Sequence, residues 1–171
     1  YLKDKIDTKK EVITLILGGP TKYYDYNNEN IIKIFSNINK HLIENNLQLI
    51  VIPSNRTPKE IITFAKEYFN KNRLIVETVD KKAYLSSLAL SKFIVVTCDS
   101  SSMISEAALT GKPVYVAMIP SKKNDKRFRK FRTLFEDLNI IKELGNELVT
   151  WKYESLDETK RIAKEIKEKI K

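Results

Sequence analysis

The chain has 171 residues, 42% of them hydrophobic, which is enough for one domain with a sizeable core. Its formal net charge is +9, and the 25 Lys and 6 Arg are scattered along the sequence. The excess of lysine fits an AT-rich coding sequence, and the scatter argues against a nucleic-acid-binding face. A single cysteine, Cys98, excludes an internal disulfide and a Cys/His zinc site, and no apolar run reaches the roughly 18 residues of a membrane span, so we expect a cytoplasmic location.

The first ten residues, YLKDKIDTKK, are polar and charged, which indicates that 1–10 is a linker from an earlier part of a longer chain. From residue 11 on, short apolar runs alternate with stretches of helical period. They predict strands at 12–17, 47–52, 73–78, 93–97 and 113–119, and helices at 28–45, 58–70, 81–91 and 102–110. Continuous apolar strands that alternate with helices are typical of a parallel sheet covered on both faces. The sequence therefore predicts an α/β, three-layer Rossmann-like domain over 11–154.

Capping and periodicity refine these boundaries. Thr57 and Pro58 have the pattern of a helix start, and Gly111 follows the helix predicted at 102–110. The isoleucines at 162, 166 and 170 recur every four residues. This spacing predicts an amphipathic C-terminal helix over 155–171.

Ligands of open α/β sheets bind beyond the carboxyl ends of the strands, so the strand exits carry the first candidate residues. Gly18 and Gly19 follow the first strand and either let the backbone approach a ligand closely or form a simple tight turn. Arg56 follows the second strand; its planar fork of donors suits a phosphate or carboxylate. The alternative is a surface arginine beside a Thr57 helix cap.

The polar run 99–102 follows the fourth strand and opens a helix. Unpaired N–H groups and hydroxyls at such a position favour an anion. Glu106 lies one turn further on the same face, where a carboxylate can accept hydrogen bonds from the vicinal hydroxyls of a sugar. The pattern thus suits a nucleotide sugar, while the alternative is that Ser101 or Ser102 only caps the helix and Glu106 is solvated.

Four segments carry a family resemblance: LILGGPTKYYDY, VIPSNRTP, VVTCDSSSMISEAALTGKPVYV and FRKFRTLFEDLNI. In order and spacing they resemble the bacterial relatives of the plant mitochondrial-fission factor named for elongated mitochondria, the mitochondrial fission ELM family, whose members look like GT-B-type glycosyltransferases. The resemblance covers about residues 12–140 and corresponds to the C-terminal half of that family. This sequence has Asn55 where the family more often has a second arginine.

The resemblance implies a Rossmann-like half domain that binds a nucleotide-diphosphate sugar. In that comparison Glu106 holds the ribose, donors at the start of the serine-rich helix hold the diphosphate, the two glycines line the interdomain cleft and Arg56 completes the site. The implied substrate-binding residues are Gly18, Gly19, Arg56, Thr57, Ser100, Ser101, Ser102, Met103 and Glu106.

The resemblance also implies a metal-independent transferase without a cofactor, consistent with the lack of an Asp-x-Asp motif. The general base of such enzymes usually comes from an N-terminal acceptor domain, which would make this chain inactive alone, and no catalytic residue is assigned. The alternative is a noncatalytic, fission-factor-like scaffold or membrane-associated module that retains the fold.

Several other residues have two interpretations. The basic stretch from Lys122 to Arg132 either touches an anionic membrane at the inner face or turns its phenylalanines to the core and its lysines to solvent. Within it, Arg127 or Arg129 could reach a diphosphate. The tyrosines at 23, 24 and 26 either stack on a base or sugar or pack against their loop. His41 is expected at the surface, and Cys98 as a small, half-buried filler.

Overall fold

The computed structural model describes residues 1–155, and the terminal helix predicted over 155–171 lies almost entirely outside them. Within these residues, six strands and five α-helices follow a short 3-10 helix at Lys3–Lys5. The strands are β1 (Val12–Leu17), β2 (Gln48–Pro53), β3 (Arg73–Ile75), β4 (Ser91–Thr97), β5 (Val114–Ala117) and β6 (Ile141–Glu143). The helices are α1 (Asn28–Glu44), α2 (Lys59–Tyr68), α3 (Lys81–Leu90), α4 (Ser101–Ala108) and α5 (Lys126–Asp137).

All six strands form one parallel sheet in the order β3-β2-β1-β4-β5-β6. Each residue of β1, β2 and β5 is buried, as expected where helices cover both faces of a parallel sheet. The order reverses between β1 and β4, which is the switch point where such sheets bind ligands. The prediction of a Rossmann-like α/β domain is confirmed.

Helix α5 is not among the predicted helices, and the other differences concern the sheet edges and one helix start. β3 ends at Ile75, three residues early, and β6 was not predicted because its segment IKE is too short to form an apolar run. Helix α2 begins at Lys59 after Pro58 without a side-chain cap, so the prediction of a Thr57 cap was wrong. Among the residues described, no helix combines the length and the apolarity needed to cross a bilayer.

His41 is fully buried, so its expected place at the surface was wrong. It follows Ile34 and Ile38 on the apolar face of α1, and its Nε2 lies 2.8 Å from the Gly145 carbonyl oxygen. The separations of four residues from Ile34 to Ile38 and of three from Ile38 to His41 place the histidine on the buried face of the helix, and the sequence alone could have shown this.

Residues 1–10 pack against the domain. Leu2 is buried and donates its backbone N–H to Ser86 Oγ at 3.0 Å, and the Gln48 side chain bonds the backbone of Asp7 and Lys10. The boundary between linker and domain at residue 10 stays a prediction.

Candidate functional site

The carboxylate of Asp99 is the centre of the switch point. It follows β4, its side chain is 0% exposed, and it accepts hydrogen bonds from the Gly19 N–H (3.0 Å), the Tyr26 hydroxyl (2.6 Å) and Arg56 Nη2 (2.8 Å). A buried carboxylate needs such donors, because its charge has lost water. Asp99 therefore joins the ends of β1, β2 and β4 and the loop before α1.

The two glycines owe their small size to this network. A Cβ on Gly18 would lie 2.0 Å from Asp99 Oδ2, and a Cβ on Gly19 would lie 2.1 Å from the Arg56 carbonyl oxygen. Thr97 Oγ1 accepts the Gly18 N–H at 2.9 Å. Neither glycine is among the lining residues of the two neighbouring cavities, which are presented in the next paragraphs. Close packing within the protein thus accounts for both glycines.

The guanidinium of Arg56 bonds the protein on one side and is open to solvent on the other. Nη1 donates to the Gly19 carbonyl at 2.9 Å and Nη2 to Asp99, while 41% of the side chain stays exposed. Thr57 Oγ1 accepts the Ser54 N–H at 2.8 Å, and its single proton is within donating distance of the Leu17 and Gly18 carbonyl oxygens. Because Asp99 balances the charge of Arg56 at 2.8 Å, this arginine adds little net positive charge to its surroundings.

A cavity of about 380 Å³ lies at the start of α4 and is here called the arginine cavity. Ser100 begins the helix, its Oγ accepting the Met103 N–H, so the cap is neither Ser101 nor Ser102. Arg127 reaches the cavity from α5, and in the described part of the chain it takes part in no ion pair. The cavity is lined by Arg56, Asp99, Ser100, Ser101, Ser102, Arg127, Phe128 and Phe131.

A second cavity, of about 240 Å³, is lined from α4 by Met103 and Glu106 and is here called the apolar cavity. Glu106 opens onto it and accepts a hydrogen bond from the Tyr84 hydroxyl at 3.0 Å. Burial, with the hydrogen bond to the neighbouring carboxylate, raises the pKa of Tyr84 well above its usual value. The lining residues are Ile16, Pro53, Ser54, Asn55, Val79, Asp80, Lys81, Tyr84, Met103 and Glu106.

Helix α5 is fixed by a buried ion pair. Asp125 Oδ2 accepts the Tyr24 hydroxyl at 2.6 Å and lies 3.3 Å from Arg132 Nη2, and Arg132 Nη1 donates to the same hydroxyl at 3.1 Å. Tyr24 is 0% exposed and its ring packs edge-on to Phe128. Phe135 is buried, and Phe128 and Phe131 pack partly buried against the core. Tyr24 and Tyr26 are both buried within the fold.

The predicted site residues thus fall into three groups. Ser100, Ser101, Ser102 and Arg56 line the arginine cavity, Met103 and Glu106 line the apolar cavity, and Gly18, Gly19 and Thr57 hold the backbone behind them. Of the two arginines considered on α5, Arg127 lines the arginine cavity, whereas Arg129 Nε pairs with Asp125 at 3.1 Å.

Sequence reasoning missed the roles of Asp99, Tyr26 and Tyr84. Asp99 was visible as the one carboxylate in the polar run at the β4 exit, yet its partners come from β1, β2 and the loop before α1. Tyr84 lies 22 residues before Glu106 and gave no sequence signal.

Comparison with known proteins identifies both family and fold. A model of the family described as Mitochondrial fission ELM1 matches residues 2–170. A protein of Rickettsia prowazekii (strain Madrid E), itself uncharacterized, is 30% identical over 170 residues, which are 95% of this chain and 48% of the relative. The chain therefore spans about half the length of that relative.

Solved structures share the fold at low sequence identity. The UDP-GlcNAc 2-epimerase from Neisseria meningitidis bound to UDP-GlcNAc has a TM-score of 0.56 and 16% identity, over 85% of this chain and 34% of that one. The S. aureus MnaA–UDP co-structure has a TM-score of 0.58 and 15% identity, over 81% and 34%. At these identities the likeness is one of fold: a Rossmann-like domain of the GT-B kind.

Proposed function

The chain belongs to the mitochondrial fission ELM1 family, and from this premise we propose that its 11–154 domain binds the nucleotide-diphosphate sugar donor of a GT-B-like glycosyltransferase. The observation that carries the proposal is the pair of cavities that residues of α4 line, one apolar with a carboxylate and the other with two arginines. A nucleotide sugar has the matching parts: a flat base, a ribose diol and a doubly charged diphosphate.

The apolar cavity would take the nucleoside. Its volume of about 240 Å³ is below the about 300–1,000 Å³ of a typical small-molecule site, so it suits one part of a larger ligand. Ile16, Val79 and Met103 offer apolar walls to a base, and Val79 is 54% exposed although it is apolar. Glu106 would accept hydrogen bonds from the ribose hydroxyls.

The arginine cavity would take the diphosphate. Arg127 supplies a positive charge that no described carboxylate balances, and Ser101, Ser102 and the first N–H groups of α4 add hydrogen-bond donors. Arg56 would add the donors that remain after its bonds to Gly19 and Asp99. Gly18, Gly19 and Thr57 would keep the floor of the cleft in place without touching the ligand.

In the whole protein the same contacts would support sugar transfer. An acceptor hydroxyl would attack the anomeric carbon while the leaving diphosphate gains stabilisation from Arg127 and the start of α4. The acceptor site and the general base would come from the part of the longer relative that this chain does not cover. We therefore assign no catalytic base here and expect donor binding without turnover.

The second candidate is a noncatalytic scaffold or membrane-associated module. It is favoured by Leu134 on α5 and Leu138 directly after it, which are 55% and 49% exposed near exposed lysines, an arrangement that suits the surface of an anionic membrane. In that case the cytoplasmic protein would be peripheral to the inner membrane face. This candidate predicts no affinity for nucleotides.

Calorimetric titration with UDP, GDP, CDP, ADP and their common sugar conjugates tests the proposal. We expect one nucleotide family to bind, and Arg127→Gln and Glu106→Ala each to weaken binding about 10- to 100-fold, because hydrogen bonds to charged groups contribute about 1.5–3 kcal/mol. Matched controls are Lys130→Gln on α5 and Glu67→Ala on α2, both exposed and outside the two cavities. Absence of binding at millimolar concentration, together with binding to anionic vesicles, would favour the scaffold.

A further inference from the structure

Tyr84 lies where it can act on both the apolar cavity and Glu106. The Asp80 side chain begins α3 by accepting the N–H groups of Lys82 and Ala83 at 2.8 and 3.1 Å. The Tyr84 N–H then donates to the Asp80 carbonyl at 2.9 Å, so Tyr84 is one turn into the helix. Its partly buried ring forms a wall of the apolar cavity, and its hydroxyl bonds Glu106 Oε2 at 3.0 Å.

This bond leaves half of the carboxylate available. Among the described residues Glu106 has no side-chain partner other than Tyr84, so Oε1 is open to a ligand. A carboxylate has about four acceptor positions on its two oxygens, and the tyrosine occupies one. An exposed glutamate on a helix otherwise samples several rotamers, and fixing it has an entropic cost on binding. The hydrogen bond from Tyr84 restricts the Glu106 rotamers in the free protein, so less entropy is lost when a ligand binds.

We propose that Tyr84 is a positioning residue, which holds Glu106 in the orientation that accepts a vicinal diol and so makes the site prefer ribonucleotides to 2′-deoxyribonucleotides. The inference rests on the proposed function, because it assigns a role within the same donor site. A ribose presents two neighbouring hydroxyls to one oriented carboxylate. A deoxyribose presents one, and gains less from the orientation.

The test compares ribonucleoside and 2′-deoxyribonucleoside diphosphates. Calorimetry with UDP, CDP, ADP and GDP and their 2′-deoxy counterparts gives the affinity ratio for each pair. For the pair that binds, we expect the wild-type chain to favour the ribonucleotide about 10-fold or more. Tyr84→Phe keeps the ring and removes the hydroxyl, and we expect it to lower ribonucleotide affinity about 3- to 10-fold and to bring the ratio towards one.

Two further variants separate positioning from a general structural role. Tyr68→Phe on α2, whose hydroxyl has no partner among the described residues, is the control and leaves the ratio unchanged. In a Glu106→Gln background, Tyr84→Phe no longer changes the ratio, because the oriented charge is already gone. A structural role would instead lower both affinities equally.

The outcomes distinguish this inference from the proposed function. Nucleotide binding with the same ratio in wild type and Tyr84→Phe overturns the role of Tyr84 and leaves the donor site standing. If no nucleoside diphosphate of either series binds the wild-type chain, the donor site fails and the role of Tyr84 fails with it.

Discussion

Replacing Gly18 with alanine tests whether the Asp99 network is the reason for the glycine pair. The added Cβ would lie 2.0 Å from Asp99 Oδ2 and 2.6 Å from its Cγ, and the buried carboxylate cannot move away without disturbing its bonds to Gly19, Tyr26 and Arg56. Overpacking of this kind costs about 1–3 kcal/mol. Displacing Asp99 also weakens its bonds to the Gly19 N–H and Tyr26, at about 1 kcal/mol each.

We therefore expect Gly18→Ala to lower the free energy of unfolding by about 2–4 kcal/mol, out of a typical 5–15. Urea unfolding followed by circular dichroism measures it. Gly145→Ala is the matched control, since a Cβ there meets nothing within 4 Å, and we expect it to change stability by no more than about 0.5 kcal/mol.

A double-mutant cycle with Asp99→Ala isolates the contact. In the Asp99→Ala background the carboxylate is absent, so Gly18→Ala should cost no more than about 0.5 kcal/mol, which is the usual error of additivity. An equal cost of Gly18→Ala in both backgrounds would refute the reasoning, and so would a Gly18→Ala variant as stable as the wild type.

Three further predictions concern α5, Cys98 and salt. Tyr24→Phe removes the hydroxyl shared by Asp125 and Arg132, and we expect it to lower the free energy of unfolding by about 1–3 kcal/mol. Tyr23→Phe is the control, because its hydroxyl has no partner among the described residues, and it should leave stability unchanged. Equal melting temperatures for the two variants would contradict this prediction. Burial raises the pKa of Cys98 from 9.0 to about 11, so the folded thiol should react slowly with Ellman's reagent at pH 8. Because the unfolded thiol ionises first, stability should decline as pH rises from 9 to 11, less so in Cys98→Ala. Nucleotide affinity should fall with added salt, and less steeply in Arg127→Gln than in Lys130→Gln.

The central strands were predictable because burial on both faces makes their sequences continuously apolar. The predicted 12–17 matches β1, and 47–52 is one residue from β2. At the sheet edge the same rule fails: β6 has only Ile141 fully buried, and its pairing with β5, rather than its composition, makes it a strand. Edge strands depend on neighbours that local sequence does not encode.

The candidate site also has features that the sequence predicts and features that it does not. Its location was predictable, because strand exits and a helix start follow from the order of elements. The partners of its charges were not. Arg56 looks alike in sequence whether it faces solvent or pairs with a carboxylate 43 residues away, and only the fold brings Asp99 to it. A charge that is visible in sequence is therefore a poor guide to the net charge of a cavity until its partner is known.

The net positive charge of the arginine cavity therefore comes mainly from α5 and not from Arg56. If Asp99 balances Arg56, the anion site depends on Arg127, which lies two residues after Asp125. Asp125 and Arg132 form a buried ion pair, and the Tyr24 hydroxyl bonds both of them, so its removal leaves each charged group one hydrogen bond short. A change at Tyr24 would then weaken nucleotide binding as well as stability, although Tyr24 lines neither cavity, because it loosens the helix that presents Arg127.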